Sequence, residues 1–139
     1  MLVLDTHIWI WLMAGDQKII DSGYISHIKK AIKSSSIKIP SISLWEVSML
    51  NMKGRISLSE NILVWLKNAL SAPGISLSPL TPEIAADISN LPEEFHGDPA
   101  DRIIVSTTRT LNATLLTFDK KILHYASKGH LKVISPQQV

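Results

Sequence analysis

The chain reads as an α/β protein with a largely parallel central sheet covered by helices on both faces. Three observations predict this. Five short apolar or alternating runs have strand character: Leu2 to Leu4, Ile37 to Ile39, Ile75 to Ser78, Thr114 to Thr117 and Lys132 to Ile134. Segments with helical spacing and capping residues alternate with those runs, the order expected of a parallel sheet buried on both sides. The chain has 139 residues, 45% of them hydrophobic, which suits one domain over residues 1–139 with a sizeable core.

The first strand, Leu2 to Leu4, ends at Asp5, and a helix is expected from Thr6 to Met13, closed by Gly15-Asp16. Ser22 is placed to cap a second helix reaching Ser34, with Ile25, Ile28 and Ile32 on one face and Lys29, Lys30 and Lys33 outward. The Ile37-Lys38-Ile39 strand stops at Pro40. Ser43-Leu44-Trp45-Glu46 then fits the capping box of a helix running to Gly54. Ser59 opens a further helix to Ser71, broken by Ala72-Pro73-Gly74. After the Ile75 to Ser78 strand, Thr81-Pro82-Glu83 starts a helix ending near Asn90.

The next start signal is the strongest in the chain. In His96-Gly97-Asp98-Pro99-Ala100-Asp101-Arg102, Asp98 is an N-cap and Pro99 takes the first helical position, where its missing N–H costs nothing. Ile103, Ile104 and Val105 then pack that helix onto a core, and it ends near Asn112. Thr114 to Thr117 is a strand, Phe118-Asp119 leads into a short helix to Ser127, and the last strand ends before Pro136.

Composition narrows the function classes. There is no cysteine, which excludes disulfides and thiolate metal sites. The net charge of +2 does not by itself mark a nucleic-acid binder. The N-terminus is apolar but has no basic leader, and Asp5 and His7 interrupt it, so a signal peptide is not expected. No apolar stretch is long enough to span a bilayer. A cytoplasmic location with no membrane association follows as the expectation.

Four acids fall where strands hand over to helices. Asp5 follows the first strand, Glu46 lies just past the second, Asp101 opens the helix before the fourth strand and Asp119 follows that strand. Right-handed crossovers bring these ends to one edge of the sheet, where open α/β folds bind ligands. Carboxylates gathered there raise one another's pKa unless a cation joins them. Oxygen donors of this kind suit Mg²⁺ or Mn²⁺, and such ions can hold the oxygens of a phosphodiester.

The sequence resembles the PIN-domain nucleases, and among them the VapC-like ribonuclease toxins of bacterial toxin–antitoxin pairs. Leu-Val-Leu-Asp-Thr-His at the start, Ser-Leu-Trp-Glu at 43–46, Asp-Pro-Ala-Asp-Arg-Ile-Ile-Val at 98–105 and Leu-Leu-Thr-Phe-Asp at 115–119 carry the resemblance. It covers nearly the whole chain and implies a three-layer α/β/α domain. The family's acidic quartet falls on Asp5, Glu46, Asp101 and Asp119, none of them substituted, as catalytic and metal-holding residues. Asp98 matches an additional aspartate of one subgroup and Thr117 the family's hydroxyl residue two before the last acid; with Arg102 and Thr6 they are the candidate accessory residues. The resemblance implies Mg²⁺- or Mn²⁺-dependent hydrolysis of RNA leaving a 5′-phosphate and a 3′-hydroxyl. It further implies a homodimer, and an antitoxin that covers the active-site groove.

Other readings stay open at this level. A catalytically silent PIN module binding RNA or protein is one. A receiver-like Mg²⁺-binding signalling domain is another, although Asp5 is followed by Thr6-His7 rather than by a second acid. The histidines show no paired ligand spacing; His96, nearest the proposed site, is a candidate substrate contact. Trp45 and Trp65 are expected in the core. Trp9 and Trp11 face different ways, and with Leu12 they are candidates for an apolar contact surface, Trp9 also for base stacking. Arg102 is expected to pair with the acids or a scissile phosphate.

Overall fold

The computed structural model describes residues 1–95 and 97–134. His96 and the chain from 135 onward, including Pro136, lie outside the described residues. In order, the elements are β1 (Leu2–Leu4), α1 (Thr6–Ala14), α2 (Gln17–Ile20), α3 (Tyr24–Lys33), β2 (Ile37–Pro40), α4 (Ile42–Met52), α5 (Ile62–Leu70), β3 (Ile75–Ser78), α6 (Pro82–Ser89), α7 (Pro99–Thr110), β4 (Thr114–Leu116), α8 (Lys120–Ala126) and β5 (Val133–Ile134). All strand pairs are parallel and the sheet order is β3-β2-β1-β4-β5. That order is not the 2-1-3-4-5 of receiver domains, which removes the structural basis for the signalling alternative.

Side-chain alternation on the strands separates two cores. Leu2, Leu4, Ile37, Ile39 and Leu116 point to one face, where they meet Ile8 and Trp9 of α1, Ile28 of α3 and Trp65 of α5. Val3 and Leu115 point to the other, against Ile104 and Val105 of α7 and Ile122 and Tyr125 of α8. Both faces of β1 are therefore buried, which is why its three residues are uniformly apolar. The result is a three-layer α/β/α arrangement.

Several local expectations are corrected. The helix expected from Ser22 forms as α3 but starts at Tyr24 after Gly23, since Ser22 donates its hydroxyl to the Ile19 carbonyl instead of capping it, and an additional short helix, α2, capped by Asp16, precedes it. The helix expected from Ser59 begins at Ile62, because Asn61 is the cap and accepts from the Val64 N–H at 3.0 Å. The Ser43–Glu46 capping box does not form, since α4 already starts at Ile42 and both residues lie within it. Trp45 is 56% exposed, not core, whereas Trp9 is fully buried against Trp65 with ring centroids 5.2 Å apart. Trp9 is thus unavailable for a surface contact or for stacking on a base.

Gly74 carries a backbone requirement. Its φ of +79° and a position where a Cβ would come within 2.6 Å of the Ile32 Cα leave room for glycine alone. It lets the chain turn tightly under the end of α3 and enter β3.

Candidate active site

The site lies where the strand order switches sides. From β1 the chain crosses to β2 and then β3, and it returns to place β4 on the opposite flank of β1. Helices leaving β1 and β4 diverge, and a crevice opens at the carboxyl ends of the two strands. Pairing of Leu4 with Leu116 sets Asp5 beside Thr117 there, with the Asp5 N–H donating to the Leu116 carbonyl at 3.0 Å.

Asp5 is buried and its two oxygens are held separately. One accepts the Thr6 N–H at 2.8 Å, and the other accepts the Thr117 hydroxyl at 2.6 Å. Thr117 accepts in turn from the Asp119 N–H at 3.0 Å, so one hydroxyl ties the ends of β1 and β4 to the start of α8. Asp119 caps α8, one carboxylate oxygen accepting from the Lys121 and Ile122 N–H groups at 2.8 and 3.2 Å.

On the other side, Thr6 donates to Glu46 at 2.6 Å across the gap between α1 and α4. Its oxygen also lies 2.8 Å from the hydroxyl of the fully buried Ser43. With the Thr6 proton directed at the Glu46 carboxylate, Ser43 is the donor in that second bond. The S-x-x-E spacing therefore sets two side chains on one helix face, toward Thr6, instead of capping the helix.

Asp98 behaves as expected of an N-cap, its carboxylate accepting the Asp101 N–H at 2.8 Å. Asp101 accepts no side-chain hydrogen bond among the described residues, and the first turn of α7, capped by Asp98, sets it close enough to the other acids to feel their charges. Burial is the largest cause lifting the Asp101 carboxyl from its ordinary 3.8 to about 7, followed by the charges of Asp98, Asp5, Asp119 and Glu46. Burial also raises Asp5, opposed by its bonds to Thr117 and Thr6 and by the nearby His7. Glu46 is raised by burial and by Asp5 and Asp98, against the bond from Thr6.

Arg102 does not join the acids. Its guanidinium turns back to the preceding loop, donating to the carbonyls of Phe95 at 2.9 Å and Gly97 at 3.4 Å. Among the described residues no lysine or arginine forms an ion pair with any of the five carboxylates. Gly97 was not singled out in the sequence, yet it abuts the site. A Cβ there would lie 2.4 Å from the Phe95 ring and 2.9 Å from the Asp101 Cβ. Its only sequence signal is a glycine immediately before an N-cap.

The donors are all carboxylate and hydroxyl oxygens, which is the chemistry of a hard divalent cation. The mutual repulsion that adds to burial in lifting Asp101 is what such a cation would relieve. Among the described residues no three acidic or histidine side chains converge tightly enough, as they stand, to hold an ion. No described helix is long and apolar enough to cross a membrane.

Comparison with known proteins follows this geometry. Ribonuclease VapC22 of Mycobacterium tuberculosis is 31% identical over 123 residues, which span 87% of this chain and 88% of that protein. The fold is similar to VapBC2 from Rickettsia felis, crystallised on a DNA fragment from its promoter. There the TM-score is 0.69 at 21% identity, covering 96% of this chain and 97% of that one. A toxin–antitoxin complex from Klebsiella pneumoniae gives 0.65 at 20% identity over the full length of both chains. Residues 2–128 match the PIN domain family, and with acids gathered at the β1–β4 switch point of a 3-2-1-4-5 parallel sheet, the chain belongs to that family.

Proposed function

We propose that the chain is a metal-dependent endoribonuclease and the toxin of a toxin–antitoxin pair. One observation carries the reading: five carboxylates lie close enough at the ligand-binding edge of the sheet to raise one another's proton affinity, none paired with a lysine or arginine among the described residues, and burial together with the charges of the other four lifts Asp101 to about 7. Likeness to Ribonuclease VapC22 supports RNA as substrate, and likeness to a toxin–antitoxin complex supports a cognate antitoxin as partner.

In this reading Asp5, Glu46, Asp101 and Asp119 hold Mg²⁺ or Mn²⁺ directly or through water. When bound, the ion activates a water and offsets charge on the phosphate. The rest falls to the chain. The Thr6 and Thr117 hydroxyls fix the orientations of Glu46 and Asp5, and the cap made by Asp98 fixes the turn that presents Asp101. Hydrolysis adds water across the P–O3′ bond and leaves a 5′-phosphate and a 3′-hydroxyl. The unit is one domain over residues 1–139, acting in the cytoplasm as a homodimer. Trp45, Met52 and Leu63, large apolar residues left exposed on α4 and α5, support a protein contact on that face and not on the Trp9 face of α1.

The test is cleavage of a structured RNA by purified protein, with the fragment 5′ ends sequenced. Wild type is expected to cut with Mg²⁺ or Mn²⁺ and to stop with chelator. Asp5→Asn should lose more than roughly a hundredfold in rate, beyond what loss of a supporting group costs at a metal site. A wild type that cuts no RNA with either ion, or Asp5→Asn cutting at full rate, overturns the reading.

A further inference from the structure

Beside the acids lies a cavity of about 330 Å³ lined by Asp5, His7, Ile8, Trp11, Phe118 and Asp119. Two of its walls are flat aromatic faces. The Trp11 and Phe118 rings are 5.8 Å apart between centroids and tilted by 44°, and His7 lies 5.7 Å from Trp11. Trp11 and Phe118 are only half-buried, unlike Trp9, two residues earlier on the opposite, core face of α1. The Phe118 wall is rigidly backed: Tyr24, fully buried, packs on it at 5.1 Å and donates its hydroxyl to the Thr117 carbonyl at 2.9 Å. Lys18 sets its ammonium 4.9 Å from the Trp11 ring, at the outer side of the same wall.

We infer that this cavity receives an unpaired nucleobase of the RNA, next to the phosphate that is cut. The inference rests on the nuclease reading above and adds to it an aromatic surface that holds the base beside the cut. The cavity joins two chemistries that a nucleotide also joins. Asp5 and Asp119 form the wall at which the phosphate would be held, and planar apolar rings form the wall beside it. An aliphatic partner side chain would have no use for the acidic wall, and a base pair could not enter sideways. Unstacked bases in loops and single strands are bound on such aromatic surfaces, and volumes of this size are ordinary for small planar ligands.

The test uses two oligoribonucleotides that carry the sequenced cut site and differ only by an abasic ribose at the nucleotide flanking it. Wild type should cut the abasic one roughly tenfold to a hundredfold less efficiently, the range of one base–aromatic stack. Trp11→Ala should lose a similar factor on the intact oligonucleotide through KM, with kcat kept, and lose nothing further on the abasic one. Trp11→Phe should recover most of the loss. Equal losses for Trp11→Ala on both substrates, or weakened antitoxin binding with KM unchanged, overturn the base pocket. A second arm needs no cleavage: in the Asp101→Asn background with Mg²⁺, the intact oligonucleotide should quench tryptophan fluorescence, and Trp11→Phe should remove that quench. Quenching without any cleavage by wild type would sink the nuclease reading alone, and identical quenching in Trp11→Phe would sink the pocket alone.

Discussion

Two cavities of about 330 Å³ lie at opposite ends of the sheet, and they treat charge in opposite ways. At the amino end, Asp87 of α6 meets Arg109 of α7 through two bonds of 3.0 and 3.3 Å, and Arg109 also donates to the His130 carbonyl at 2.6 Å. Lys132 reaches the Asn112 side chain at 2.8 Å. The Asp87–Arg109 ion pair and the bond to the His130 carbonyl staple α6, α7 and the β5 approach together. At the carboxyl end, among the described residues, the acids are hydrogen-bonded only by hydroxyls and backbone N–H groups, and none is paired with a lysine or arginine. Those bonds orient the carboxylates without neutralising them. One end spends its charges on holding the fold, while the other keeps a deficit that a ligand must fill, the usual mark of a functional site.

The sharpest way to break this comparison is to remove one acid from each end. Asp101→Asn is expected to cut RNA cleavage by more than roughly a hundredfold and leave the metal-free melting temperature unchanged or higher, because repulsion is relieved. Asp87→Ala should keep the cleavage rate and cost about 2 kcal/mol in stability, because the half-buried Arg109 loses both carboxylate bonds. Urea titrations and initial rates for the two variants check it. A stable, inactive Asp87→Ala or an unstable, active Asp101→Asn would reverse the two ends.

Within the carboxyl end, the Thr6 hydroxyl is the strongest positioning element. Thr6→Val removes the donor to Glu46 and strands the buried Ser43 hydroxyl. Metal affinity should fall by about tenfold to a hundredfold, as for other supporting groups at metal sites. Stability should fall by about 1 kcal/mol. Thr6→Ser should restore affinity, measured by metal titration of the melting temperature. Valine and serine variants that bind metal equally would make the hydroxyl irrelevant to the site.

How far this was legible in the sequence depends on what each signal reports. Asp5, Asp98 and Asp119 could be read because each is a cap or a strand end, a local event written in adjacent residues. The sheet could be read for the same reason, since β1 to β4 are short apolar runs between clear punctuation. The Ser43–Glu46 pattern was legible as a pair and misleading as a cap: three-residue spacing serves both uses, and only the start of α4 at Ile42 separates them. Trp45 failed because α4 is apolar nearly all round, so periodicity does not say which side meets the core; Ser43 and Val47 do, and Trp45 faces out. Arg102 failed because its partners are carbonyls of a loop, and carbonyls leave no mark in a sequence. Gly97 is legible only once the Phe95 ring and the Asp101 Cβ are seen on either side of it.

Proton competition should sharpen the contrast further, with a smaller effect. Asp101 sits at about 7 folded against 3.8 unfolded, so between those values the folded state holds a proton that the unfolded chain has released. Metal-free stability from this group is therefore highest below about pH 4 and is lost as pH rises through about 7. Metal binding must displace the same proton, so apparent Mg²⁺ affinity should rise about tenfold from pH 6 to pH 8 and flatten above. Asp101→Asn should abolish most of that slope. An affinity independent of pH over this range would remove Asp101 from the ion's coordination.

The smallest expected effect separates the two aspartates at the head of α7. Asp98 and Asp101 are alike in charge, and the burial-raised Glu46 feels the charge of Asp98 as well. They differ in what their oxygens already do. Asp98 has extended backbone at φ −69° and ψ 171°, and one of its oxygens accepts the Asp101 N–H at 2.8 Å, the geometry of a cap committed to its helix. Asp101, three residues on, has no such commitment. Asp98→Ser keeps a capping oxygen and removes one negative charge, so cleavage should stay within about threefold of wild type while the metal-free fold holds its stability. Asp98→Ala removes the cap as well and should cost about 1 kcal/mol, with α7 fraying at the end that presents Asp101. The fraying should show as a lower rate in Asp98→Ala than in Asp98→Ser, although both lack the charge. If instead both variants are equally inactive and Asp98→Ser melts like wild type, the charge of Asp98 and not its cap is what matters. Asp98 then counts with the metal-holding acids.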